Sequence, residues 1–276
     1  MDEKTFSEII HLITQTTGII PRDSHKTGIL HYINKRSLEL KKKEPANFSD
    51  YYNYLRSHKD EIFNLINNAT VNETYFFREE AQFNILKEKI FPEIAKKNKY
   101  NSLNPLKIWS AAASSGEEIY SLYLLFTSLG IECDCTASDI NTKVLDLCAQ
   151  GLYNHNSCRS VDGSQYHYLL EKYKEKNGKI QIPENICKKI HRKQINLAMA
   201  EKFPLQQDII FLRNVFIYFS QETKKRILQK IVSESLAPDG YLFVSMNEIA
   251  SIDASIIPPE LEKLSDGKVY YFHKKI

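Results

Sequence analysis

Residues 106–129 read LKIWSAAASSGEEIYSLYLLFTSL, and the fold turns on how this stretch divides. Leu106 to Ser110 is a short, mainly apolar run of strand length, whereas Ile119 to Leu129 is apolar at helical spacing and too long for a buried strand. Between them lie only small residues, Ala111 to Gly116, and then Glu117 and Glu118. The same alternation recurs downstream. CDCTASD (133–139) is followed by TKVLDLCAQ, DIIFLRN (208–214) by ETKKRILQKIVSESL, and YLFVSM (241–246) comes after the turn PDG. Strands alternating with helices predict an α/β chain with a mainly parallel, doubly wound, Rossmann-like sheet.

The chain begins differently. Residues 1 to about 70 carry helical spacing, as in Phe6, Ile9, Ile10 and Ile13, so an all-helical unit is expected before the sheet. The polar stretch KKNKYNSLNP at 96–105 reads as the join. Thirty-seven basic against 34 acidic side chains in 276 residues give a formal charge of +3, too balanced for nucleic-acid wrapping. The start MDEKTFSEII carries acids where a secretory signal would be basic, and no apolar run approaches the ~18–20 residues that span a bilayer. A cytoplasmic protein with no membrane insertion is expected. The five cysteines show no CxxC pair, and His155, His167 and His191 lack the spacing of a zinc helix, so no metal site is expected.

In a doubly wound sheet, ligands sit at the carboxyl ends of the strands. The small residues of AAASSGEE allow a ligand close to the backbone, and Ser114 or Ser115 is expected to cap the following helix. About twenty residues on, Asp139 ends the second strand, where a carboxylate can accept from both ribose hydroxyls. A dinucleotide site wants GxGxxG; here Gly116 is followed by two glutamates that repel phosphate. They favour a cationic, phosphate-free nucleoside such as S-adenosylmethionine, unless they serve only the helix dipole. Arg213 and Asn214 should stand at the end of the third strand, with Tyr218 four residues beyond, either as ligand contacts or as a strand-end turn before an aromatic helix. The stretch VNETYFFREE (71–80) fits neither a helical nor a strand period and reads as chosen for contacts.

Taken together, NETYFFRE, WSAAASSGEEIYSL, ASDINTKVLDLC, RKQINL and FLRNVFIYF, in this order over residues 72–219, resemble the chemotaxis receptor methyltransferases of the CheR type. The resemblance implies a helical N-terminal domain (1–72), a linker contributing to the cofactor site (73–105) and a methyltransferase domain (106–276). A small antiparallel β-subdomain would be inserted at 156–190, with a hairpin turn at Asn177 and Gly178. It implies transfer of methyl from S-adenosylmethionine to chemoreceptor glutamates, leaving methyl esters and S-adenosylhomocysteine. Cofactor contacts would come from Asn72, Thr74 and Arg78, from Glu118 or else Glu117, and from Asp139, Asn196, Leu197, Arg213 and Asn214. Arg78 would also meet the substrate carboxylate, and Tyr218 would sit near the transferred methyl. Phe76 and Phe77 are expected to pack between the domains.

The implied partners are acidic cytoplasmic helices of chemoreceptors, with a receptor tether possible on the β-subdomain. Residues 22–43, with seven basic side chains including Lys35 and Arg36 against Asp23 and Glu39, are expected to steer such a helix. Two features depart from the family: SMNEIAS (245–251) replaces a GHSE-like stretch, and the region around Pro258 and Pro259 is longer. The competing readings are a non-catalytic signalling scaffold and a methyltransferase acting on another acceptor.

Overall fold

The structure is a computed structural model, and it describes residues 2–44, 50–70, 72–98, 100–199 and 201–275. Val71 of the VNETYFFREE stretch and Lys99 of the expected join lie outside the described residues. Four helices come first: α1 (Glu3–Thr17), α2 (Asp23–Lys43), α3 (Tyr51–Ser57) and α4 (Lys59–Ala69). Their apolar faces meet in a core of their own, built from Ile9, Ile13, Ile29, Ile33, Leu55 and Leu65. Next come α5 (Glu80–Ile85), a π-helical turn over Leu86–Ile90 and α6 (Phe91–Lys97). The expected linker is therefore largely helical, and Phe83, Leu86 and Ile90 belong to the core of the sheet.

The sheet has seven strands in the order β5-β2-β1-β6-β7-β9-β8. Its strands are β1 (Leu106–Ser110), β2 (Cys133–Asp139), β5 (Ile190–Gln194), β6 (Gln207–Leu212), β7 (Leu236–Val244), β8 (Leu261–Asp266) and β9 (Val269–Lys274). The first five in sequence pair in parallel, and β9 adds antiparallel to β7 with β8 as its hairpin partner. Helices α7 (Glu117–Ser128), α8 (Thr142–Gln150) and α11 (Gln221–Lys230) make the crossovers. Because both faces are covered, β1 and β6 are apolar almost continuously, with Trp109 and Phe211 wholly enclosed. Pro238 to Gly240, expected as a turn before the strand, lie within β7, where Asp239 adopts φ 62° and the register against β6 shifts between Gln207 and Ile209. A bulge of this kind absorbs turn residues without ending the strand.

The insertion is bounded by two-residue strands, β3 (Leu152–Tyr153) and β4 (Ile180–Gln181), paired antiparallel, with α9 (His167–Glu171) between them and α10 (Glu184–Cys187) leading back to β5. Its first strand precedes residue 156. Gly178, at φ 78°, donates to Glu175 O at 2.9 Å in the tight turn before β4.

Two expectations need correction. Phe76 and Phe77 do not pack between the helical unit and the sheet. Phe76 meets Tyr153 edge-on at 4.9 Å, and Phe77 stacks on Tyr166 at 4.6 Å while its N–H donates to Ser121 Oγ at 2.9 Å. Both rings therefore nail the linker to α7 and the insertion. Arg36, expected to steer a partner, is instead spent internally: Nε and Nη2 bond the buried Glu61 at 2.9 and 2.8 Å, and Nη1 bonds Glu39 at 3.3 Å. A carboxylate as enclosed as Glu61 needs that counter-ion. Helix α12 (Met246–Ile249) follows β7.

Replacing the fully enclosed Phe77 by Ala should lower stability in urea by about 3–5 kcal/mol, the cost of lost burial plus a cavity.

Candidate active site

From β1 the chain runs outward through β2 to β5 and returns across β1 to β6, so connections diverge at the carboxyl ends of β1 and β6. A crevice opens at such a switch point. Here the cleft encloses about 1010 Å³ including its open mouth. It is walled by the loop after β1, the end of β2, the segment after β5, the loop after β6, the linker and the connection between α1 and α2.

Loop geometry after β1 follows from crowding. Gly116 has φ 98°, and a Cβ there would stand 2.4 Å from Cys148 Sγ, so only glycine fits. Neither serine caps α7 as expected, because Gly116 itself occupies the cap position. Ser114, at φ 49°, donates its Oγ to Asn72 O at 3.0 Å and its N–H to Asp139 Oδ2 at 2.9 Å. Ser115 Oγ donates to Glu117 Oε2 at 2.7 Å. The amide that a phosphate would seek is thus already taken by a carboxylate.

The two glutamates of the motif part company. Glu117 turns away from the cleft and accepts from Ser157 Oγ at 2.7 Å, tying the insertion to α7. Glu118 turns in, where Oε1 accepts from Ser110 Oγ at 2.6 Å and Oε2 lies 3.3 Å from Arg213 Nη1. Arg213 Nη2 lies 3.7 Å from Glu79 Oε2 and donates to Arg78 O at 2.5 Å. One guanidinium therefore serves two carboxylates, and the trio keeps a net negative charge. Burial pushes the Glu118 carboxyl above its ordinary range, against the opposing pull of Arg213 and Ser110. Burial likewise raises Asp139, against the N–H groups of Asn141 and Ser114 that it accepts.

Beyond β6, Asn214 adopts φ 58°. Its N–H donates to Glu248 Oε2 at 2.7 Å, Ile217 N–H donates to Glu248 Oε1 at 3.1 Å, and Asn214 Nδ2 donates to Ser245 Oγ at 3.0 Å. Ser245 Oγ in turn donates to Glu79 Oε1 at 2.6 Å. The atypical SMNEIAS stretch thus supplies a wholly buried carboxylate that shapes the loop carrying Asn214 and Tyr218.

All ten expected positions come together on this cleft: Asn72, Thr74 and Arg78 from the linker, Glu118, Asp139, Asn196, Leu197, Arg213, Asn214 and Tyr218. Asn196 lines it with its amide engaged elsewhere, donating to Thr16 O at 3.3 Å and accepting from Ala198 N at 3.0 Å. Sequence reasoning missed Glu79 and Glu248, which hold the first rank in place, although both stood inside quoted motifs. It also missed Ile19, Pro21 and His25, which no local pattern announces. Gly18, at φ 73°, lets them approach, because a Cβ there would meet Ala198 Cβ at 2.3 Å. Ile20 N–H then donates to Tyr218 O at 2.8 Å.

This donor set fits S-adenosylmethionine: the half-buried carboxylates of Glu118 and Asp139 face the cleft, and the loop amide of Ser114 is already taken by Asp139. A doubly wound sheet with such a cleft at its switch point is that of an S-adenosylmethionine-dependent methyltransferase. Residues 72–257 match the family described as "CheR methyltransferase, SAM binding domain". The chain is 32% identical to a chemotaxis protein methyltransferase of Borreliella burgdorferi, over 88% of this chain and 87% of that one. It is 34% identical to one from Klebsiella aerogenes over 90% and 84% of the two chains, and 32% identical to one from Escherichia coli over 90% and 85%. The chain belongs to the CheR methyltransferase family.

Glu248→Ala removes a wholly buried carboxylate and leaves the half-buried N–H groups of Asn214 and Ile217 without their acceptor. Denaturant unfolding should show a loss of about 2–5 kcal/mol, which an unaltered midpoint would contradict.

Proposed function

We propose that this chain methylates glutamate side chains of chemoreceptors from S-adenosylmethionine, within the division 1–72, 73–105 and 106–276 with its insertion at 156–190. The observation that carries the reading is the pair of half-buried carboxylates, Glu118 and Asp139, facing one cleft with Arg213 as the guanidinium beside Glu118. Glu118 holds the ammonium of the donor and Asp139 the ribose hydroxyls. Asn72, Thr74, Asn196, Leu197 and Asn214 complete the wall. Bound S-adenosylmethionine supplies a methyl group on an electron-poor sulfonium.

A glutamate acceptor, with a reference pKa near 4.3, is already an anion at neutral pH and needs no general base. The chain's task is then positioning and the exclusion of water. Arg78 lines the cleft beside Tyr75 and orients the acceptor carboxylate. Tyr218 shapes the passage; burial raises its hydroxyl pKa, with Glu248 adding to the effect, so it stays neutral and serves as a wall and hydrogen-bonding group. The acceptor region is an acidic cytoplasmic helix. With Arg36 consumed by Glu61, the exposed Lys35, Lys41, Lys42 and Lys43 of α2 supply the steering charge. A receptor tether would dock on the insertion.

Binding should respond to pH with a defined sign. Glu118 and Asp139 have raised pKa values in the free enzyme, and the cationic donor needs Glu118 ionised. Affinity by calorimetry should therefore weaken as pH falls, starting above the ordinary carboxylate range, by up to about tenfold per pH unit for each proton taken up. Glu118→Gln should weaken binding at neutral pH and flatten that profile.

Arg78→Ala should lower turnover about 100-fold with the donor still bound. Labelled methyl transferred to a receptor cytoplasmic fragment and released by mild base identifies the ester. Methyl that resists base would contradict a carboxylate acceptor.

A further inference from the structure

Arg159 has no part in the site as described. It follows the single 3-10 turn His155–Cys158 at the start of the insertion, and its neighbours are pinned. Phe76 N–H donates to Ser157 O at 2.8 Å, and Ser160 Oγ donates to Phe76 O at 3.0 Å. Ser157 is also the residue held by the buried Glu117. With both flanks fixed against the linker, the Arg159 guanidinium carbon sits 4.2 Å from the centroid of Tyr75. The Arg78 guanidinium carbon stands 5.5 Å from the same ring, which lines the cleft. Glu73 connects the two arginines: Oε1 lies 2.6 Å from Arg159 Nη2, and its carbonyl accepts from Arg78 Nη1 at 2.9 Å.

Two like charges gathered on one ring at a cleft mouth are suited to anionic company. The Arg159 side chain keeps 36% of its surface in water and that of Glu73 keeps 66%. An ion pair so exposed is worth about 0–1 kcal/mol, so an incoming carboxylate can displace Glu73 with little loss. The contact with the Tyr75 face restrains the guanidinium, so a bidentate carboxylate can be bound at lower entropic cost.

We propose that Arg159, seated on Tyr75, binds a second carboxylate of the acceptor helix, one turn away from the glutamate that Arg78 orients. This rests on the acceptor reading above and deepens it. Glu73 stands in the free enzyme where that second carboxylate binds. The two guanidinium carbons lie 4.2 and 5.5 Å from the centroid of one ring, which keeps them within about 10 Å of each other. Side chains three or four positions apart on a helix have Cβ atoms about 5–6 Å apart on one face, within that reach, while positions one or two apart diverge. The specificity is therefore for an acid three or four residues from the modified one.

The test uses the full chain, labelled S-adenosylmethionine and synthetic helical peptides carrying one acceptor glutamate. A second glutamate is placed four residues before it, four after it or two after it, or is replaced by glutamine. Wild-type enzyme should show a KM about 5–10-fold lower for one of the four-residue peptides than for the glutamine peptide, with kcat within about twofold. Arg159→Gln should erase that difference, and Arg159→Lys should restore only part of it. A KM difference that survives Arg159→Gln, or one equal for the two-residue spacing, overturns the proposal and leaves the acceptor reading standing. If wild-type enzyme methylates none of the peptides while still binding the donor, the acceptor reading falls and this inference falls with it.

Discussion

A guanidinium that retains 1% of its side-chain exposure, between two carboxylates, organises this molecule. Removing Arg213 from water costs several kcal/mol unless its charge is answered, and the answer comes from parts of the chain far apart in sequence. Glu118 arrives from the first turn of α7, Glu79 from the linker, and a backbone carbonyl from Arg78. Glu79 also accepts from Ser245 Oγ and Met246 N–H, so the end of β7 is drawn into the same cluster. The pairing is unequal, with two carboxylates to one cation. Of the two, Glu118 reaches the cleft while Glu79 braces Arg213 from behind, so the contacts that close the fold also fix the position of a cleft carboxylate.

The linker achieves its course at a conformational cost. Phe77 and Glu79 adopt φ values of 54° and 59°, in a region that bulky residues seldom enter. The surroundings over-determine both positions. Phe77 is wedged against Tyr166 and Phe83 with its N–H on Ser121, while Glu79 is fixed by Ser245, Met246 and Arg213. These reversals send Phe76 and Phe77 inward and leave Tyr75 and Arg78 at the mouth. An aromatic pair beside an arginine in sequence thus becomes a core anchor and a cleft-lining group, which explains why no regular period describes the stretch.

The parallel sheet was legible because strands buried on both faces must be continuously apolar, and LKIWS and DIIFL have no other economical use. The cleft residues on strand ends were legible for the same reason: once the strands are placed, Asp139 and Arg213 can only stand at their carboxyl edge. What could not be read were relations set by packing. Nothing in GIIPRD says that Gly18 will press against Ala198 and bring Ile19 and Pro21 to the cleft. Nothing in a run of lysines and arginines says that Arg36 will turn inward to Glu61. Glu117 and Glu118 are adjacent and chemically identical, and only the helical rotation between them assigns one to the insertion and the other to the cleft.

That same packing bears on the chemistry. An anionic acceptor and a sulfonium neutralise one another as methyl moves, so water, which stabilises the separated charges, slows the transfer. The sheet side of the cleft sets Glu118, Asp139 and Arg213 among apolar neighbours such as Ile140, Ile195, Leu197 and Val215. Ile19 and Pro21 supply an apolar wall from the helical unit, held in place by the Ile20 to Tyr218 backbone bond and the Asn196 to Thr16 bond. Tyr218, neutral and half-buried, closes the gap between that wall and the loop after β6. The helical unit therefore adds an apolar wall, and His25 against the Tyr218 ring at 5.7 Å, to the cleft that the sheet opens. Its joint to the sheet is accordingly close enough that only glycine fits at position 18.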